Sequence, residues 1–163
     1  MRYLSLLLIM CFAVACTCVT QVPIASAAEH PEALLFEADR DAHADVDAAL
    51  AQGAKEGKIT LVVMGANWCH DSRALAGWFS TDEDILAVLK RDFVVAYVDV
   101  AQKNRNIDVA QRFGIESIVG TPTVVMVAAN GTVLNRETAV TWRNSASRTK
   151  AEIKEALDTA DQL

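Results

Sequence analysis

The chain has 163 residues, 52% hydrophobic and 22% charged, with four cysteines and a formal net charge of −6. That length and apolar content suit one domain with a substantial core. The acidic balance excludes nucleic acid as a natural partner, because phosphate backbones are held by clustered Lys and Arg.

The first element in chain order is a targeting segment. "MRYLSLLLIMCFAVACTC" is a short basic start followed by an apolar run, closed by Gln21, Pro23 and the small-residue sequence Ala25-Ser26-Ala27. The pattern reads as a secretory signal at 1–27, cleaved after Ala27. Its apolar core falls short of the about 20 residues that a membrane span needs. Val14-Ala15-Cys16 also resembles a lipoprotein cleavage box, but Ala13 fits poorly where a large aliphatic residue belongs. A periplasmic or otherwise exported protein is therefore preferred to one lipidated at Cys16, and membrane contact is expected only through such a lipid or a redox partner. Removing the leader takes away Cys11, Cys16, Cys18 and Arg2, leaving Cys69 as the one thiol and a net charge of −7. An exported chain with a single cysteine has no internal disulfide, so its thiol is either buried and inert or exposed and reactive.

Residues 28–40 form an N-terminal arm, charged apart from "ALLF", which could also be an edge strand. The folded domain is expected over 41–163. From Asp41 to Gly57, Val46, Ala49, Leu50 and Gly53 recur at helical spacing, with Asp45 early and Lys55 late as the helix dipole favours. "KITLVVMGA" then supplies a buried strand from Ile59 to Met64. Cys69 follows after a short connector, at the start of the helical "HDSRALAGWF". Thr81 followed by Asp84 predicts a cap for a further helix carrying Ile85, Val88 and Leu89. "DFVVAYVDV" is a second buried strand, and a helix from about Asn106 to Phe113 stops at Gly114. The apolar "TVVMVAA" runs into Asn130-Gly131, a strong hairpin signal that makes "TVLNRET" the returning strand. "SASRTKAEIKEALDTADQL" closes the chain as a capped helix with Ile153, Leu157 and Ala160 inward. The order implies an α/β fold, a mixed central sheet with helices on both faces.

"NWCHDSR", "VDV", "QRFGI" and "GTPTVVMV" together resemble the thioredoxin superfamily over roughly Val46 to Leu163. The likeness is to bacterial extracytoplasmic thioredoxin-like domains. It implies the thioredoxin fold, a nucleophilic Cys69 and a cis Pro122 facing it. The local chemistry is compatible: a cysteine in a helix's first turn meets unpaired backbone N–H groups and the positive dipole end, which favour thiolate. Arg73 and protonated His70 would act in the same direction and Asp71 against it. Trp68 would shield one side of the sulfur, and the Thr121-Pro122 edge would pair with an extended polypeptide.

Two positions depart from the family pattern. Ser72 stands where a resolving cysteine is usual, and Val63 where thioredoxins bury an acid. An intramolecular disulfide is therefore excluded and a single-sulfur route remains: Cys69 attacks a disulfide, and a substrate thiol or glutathione resolves the mixed disulfide. Cys69, Ser72 and His70 are the expected catalytic residues, with Ser72 a hydrogen-bond donor to the thiolate and His70 or Asp71 a proton carrier. Trp68, Thr121 and Pro122 are the expected substrate-binding residues, and Asp71 and Arg73 tune the sulfur. The reading is an exported thiol–disulfide exchange protein of isomerase, reductase or deglutathionylating type. Its alternative is a non-catalytic polypeptide-binding or chaperone-like module. No cofactor is implied, and Cys69, His70 and Asp71 make a poor metal site because neighbours at a helix start point apart. His30 and His43 receive no role.

Overall fold

The computed structural model describes residues 30–163. The expected leader, 1–27, and with it Cys11, Cys16 and Cys18, lies outside the described residues. Residues 30–40 form the arm, without helix or strand.

Helix α1 (Ala42–Glu56) begins where the Asp41 carboxylate accepts the Ala44 N–H and ends at Gly57 in the left-handed region, φ 70°. Its Val46, Ala49 and Gly53 face inward. Strand β1 (Ile59–Gly65) leads to α2 (His70–Thr81), α3 (Glu83–Asp92) and strand β2 (Phe93–Asp99). After the short helix α4 (Ile107–Gln111) comes β3 (Thr123–Val127), and α5 (Lys150–Asp158) lies near the end.

Among the described residues the sheet has the order β2-β1-β3. β1 runs parallel to β2 with Ile59 opposite Phe93, and antiparallel to β3 with Leu61 opposite Met126. Side chains alternate across a strand, so Leu61, Val63, Val124 and Met126 pack with α2, α3 and α5. Val62, Met64, Val125 and Val127 pack instead with α1 and α4. This is the thioredoxin-like α/β arrangement, with a buried β1 feeding its C-terminal end into the loop that carries Cys69.

Two local expectations need correction. The cap before α3 is Asp82, whose carboxylate accepts from Asp84 N and Ile85 N; Thr81 closes α2 by donating to the Gly77 carbonyl at 2.9 Å. The hairpin turn forms, with Gly131 at φ 86°, but the returning strand shrinks to a single bridge between Val127 and Val133. Its place is taken by the Asn135 side chain, which accepts the Met126 N–H and donates to the Val124 carbonyl, both at 2.8 Å. Having satisfied β3 with one amide, the backbone is free to leave the sheet. It enters a 3₁₀ segment, Ala139–Ser147, broken at Asn144. Here Trp142 packs edge-on against Phe79 under the Arg148 guanidinium, ahead of the closing helix. α5 itself starts on a reciprocal cap between Thr149 and Glu152, with Ile153 and Leu157 inward.

Candidate functional site

β1 ends at Gly65, and residues 66–68 turn the chain so that Cys69 becomes the residue preceding α2. The turn is closed by the Cys69 N–H on the Ala66 carbonyl, and the helix starts with the Arg73 N–H on the Cys69 carbonyl, both 3.0 Å. The thiol does not cap this helix. It points across to the loop before β3 and donates to the Thr121 carbonyl at 3.3 Å. Cys69 is half-buried and free, and the Thr121–Pro122 peptide is cis.

Each loop meeting at the sulfur also presents an apolar side chain to solvent: Trp68 is 49% exposed and Val119 62%. The indole is nevertheless fixed in place, because Trp68 Nε1 donates to the Ala101 carbonyl at 2.7 Å.

The other residues singled out in the sequence are differently committed. Arg73 reaches back over the loop: Nη1 donates to the Asn67 and Trp68 carbonyls at 3.1 Å, and Nε to Glu32 at 2.8 Å. Its charge braces the backbone before Cys69. Asp71 accepts the Ala146 N–H at 2.9 Å, tying α2 to the 3₁₀ segment. His70 turns toward the arm, with Nδ1 at 2.8 Å from a Glu32 oxygen. Ser72 is fully buried and its hydroxyl has no hydrogen-bond partner, so the expected bond to the sulfur is not made. Val63 is an ordinary core residue.

The arm is the feature that the sequence left without a role. Its Phe36 is 2% exposed and packs edge-on against Tyr97. Burial pushes the Tyr97 phenol above its ordinary range. The Ala33 N–H donates to the Arg73 carbonyl at 3.1 Å, so the arm crosses directly over α2. Gly77 permits this approach, since a Cβ there would lie 2.1 Å from the Pro31 carbonyl oxygen. Glu32 is held below the usual carboxylate range, first by the Arg73 hydrogen bond and further by His70. Asn67, inside the motif already identified, pairs with the backbone of Phe36 in the arm, a partner 31 residues away that nothing local announced. Among the described residues, no helix is long and apolar enough to cross a membrane.

Residues 41–129 match the family described as thioredoxin-like. No curated protein matches the chain in sequence. Among solved structures, a disulphide isomerase from Xylella fastidiosa Temecula1 is 30% identical with a TM-score of 0.73, over 79% of this chain and 98% of that one. A thioredoxin from Thermus thermophilus is 23% identical with a TM-score of 0.53, over 71% of this chain and 82% of that one, and shares the fold. From the half-buried thiol at the head of α2 to the sheet behind it, the chain belongs to the thioredoxin-like family.

Proposed function

We propose that the protein is an exported thiol–disulfide exchange enzyme working through one sulfur, with polypeptide disulfides or mixed disulfides as substrate. The observation that carries this reading is the Cys69–Thr121 contact, in which the one thiol of the described residues faces a strand-entry backbone at 3.3 Å. The similarity to a protein named as a disulphide isomerase supports it.

In the first step Cys69, having lost its proton, attacks one sulfur of the substrate disulfide. A Cys69–substrate disulfide forms, the substrate S–S bond breaks, and the departing thiolate takes up a proton. Water reaching the half-buried sulfur supplies that proton, since His70 is turned toward Glu32 of the arm. A second thiol, from the substrate or from glutathione, attacks the mixed disulfide and returns Cys69 as thiolate. With a substrate thiol the outcome is isomerisation and no net electrons move; with a glutathione mixed disulfide as substrate, Cys69 takes the glutathione sulfur, the protein thiol leaves reduced, and a second glutathione releases oxidised glutathione from Cys69.

Loss of the Cys69 proton also removes the donor now facing Thr121. That carbonyl is then free for an N–H of an extended substrate segment, as in strand addition. Trp68 and Val119 flank the same place with apolar surface, and Arg73 and Asp71 hold the helix and loop in position. Ser72 occupies the second-sulfur position without redox chemistry.

The test is refolding of a disulfide-scrambled protein in a glutathione buffer, comparing the native protein with Cys69→Ala. The native protein is expected to accelerate reshuffling and the variant to leave it at the buffer rate. Equal rates for the two would sink the enzyme reading and leave the binding module.

A further inference from the structure

The arm and α2 bring together three side chains outside the sulfur chemistry: His30, Glu32 and His70. One ligating atom from each lies within 4.8 Å of the other two. The two imidazoles meet edge to face, with centroids 4.7 Å apart, and their Nε2 atoms are 3.2 Å from one another.

What the other ring nitrogens face decides the character of this pair. His70 Nδ1 is 2.8 Å from Glu32 Oε1. The second oxygen of that carboxylate accepts from Arg73 Nε at 2.8 Å, and the group serves His70 as an acceptor. His30 Nδ1 lies 3.5 Å from the Pro31 carbonyl, which also can only accept. Each neutral ring has one N–H to give. The 3.2 Å contact is filled either by an Nε2–H of one ring shared with the other or, with both protons on Nδ1, by a cation lying beside the line that joins the two nitrogens. Two imidazole nitrogens bound about 2.0–2.1 Å from a tetrahedral Zn²⁺ stand roughly 3.3 Å apart.

We propose that His30 and His70 bind a divalent transition-metal ion through their Nε2 atoms, with Glu32 fixing the tautomer of His70 from behind. The carboxylate–imidazole–metal order is that of metal sites in which an outer carboxylate orients the ligand ring. Imidazole ligands without a thiolate select ions of the Zn²⁺, Cu²⁺ and Ni²⁺ class over Ca²⁺ or Mg²⁺. His30 is half-buried while Glu32 and His70 are exposed, so the remaining coordination positions open to solvent. This site differs from the Cys69-His70-Asp71 grouping set aside on sequence grounds. Its second ligand comes from the arm, 40 residues before His70.

The experiment is calorimetric titration of the metal-stripped protein lacking residues 1–27 with Zn²⁺, beside His30→Ala, Glu32→Gln and Cys69→Ser. One Zn²⁺ per chain is expected. Its affinity should be unchanged in Cys69→Ser, about 10- to 100-fold weaker in Glu32→Gln as for other orienting carboxylates, and lost in His30→Ala. His30→Ala is chosen because the residue begins the described arm and supports no core packing; unchanged circular dichroism confirms its fold. No heat with Zn²⁺, the signature of a proton between the rings, would overturn the proposal. So would binding that survives His30→Ala or disappears with Cys69.

Discussion

The side-chain amide of Asn67 grips the backbone of Phe36 at both ends, Oδ1 accepting the Phe36 N–H at 3.1 Å and Nδ2 donating to its carbonyl at 2.9 Å. One residue of the arm is thereby paired as a strand would pair it, by the loop that carries Trp68 and Cys69. Asn67→Ala leaves two part-buried backbone groups without a partner, at about 1–3 kcal/mol for each unsatisfied group. A loss of about 2 kcal/mol in urea denaturation is expected, together with new protease cleavage in residues 30–40. A stability equal to that of the native protein would show that the arm is held by Phe36 burial alone.

Ser72 makes two opposite predictions. Its buried hydroxyl bonds to nothing, so Ser72→Ala removes a desolvated polar group and should stabilise the protein by about 1 kcal/mol. Ser72→Cys places a second sulfur three residues after Cys69 at the helix start. After mild oxidation this variant should lose both thiols in a thiol titration, where the native protein retains its thiol. Retention of two titratable thiols would mean that position 72 points too far toward Gly65 and Phe36 to reach the first sulfur.

The sign of the acid dependence follows from Glu32. Its carboxyl is held low by Arg73 and then His70, so it stabilises the folded arm above the ordinary glutamate range near about 4.3. That contribution is lost as the pH falls through the lower folded value. The native protein should therefore exceed Glu32→Gln in denaturation midpoint at neutral pH and converge with it in acid. Exposure to solvent keeps the difference small. A gap that stayed constant down to acid pH would point to packing instead of charge.

Asn135 seals the outer edge of β3. Asn135→Ala should cost about 3 kcal/mol, because Met126 N–H and Val124 C=O are both left buried and unpaired. It should also promote self-association through the opened strand edge, measurable by sedimentation. A monomer of native stability would show that the bridge at Val133 suffices.

The sheet and its helices were readable because their signals are local. Val-rich runs specified β1, β2 and β3, and the 3.6-residue spacing of Val46, Ala49 and Gly53 specified the inner face of α1. The errors share a physical cause, a side chain standing in for backbone. Asn135 completes β3 without a strand, and Asp82 displaces Thr81 as a cap. At the site, "WC" and "TP" located the two loops that meet. The arm was illegible, since it has no periodicity and its contacts with Asn67, Arg73 and His70 are all long-range.

The contact between Pro31 and Gly77 has a practical consequence for handling the protein. The described chain enters the fold along α2, with His30 touching the residue that follows Cys69. Anything joined directly before His30 starts its path beside the first turn of that helix. Labels and immobilisation points are better attached after Leu163, which follows α5, the helix packed on α3.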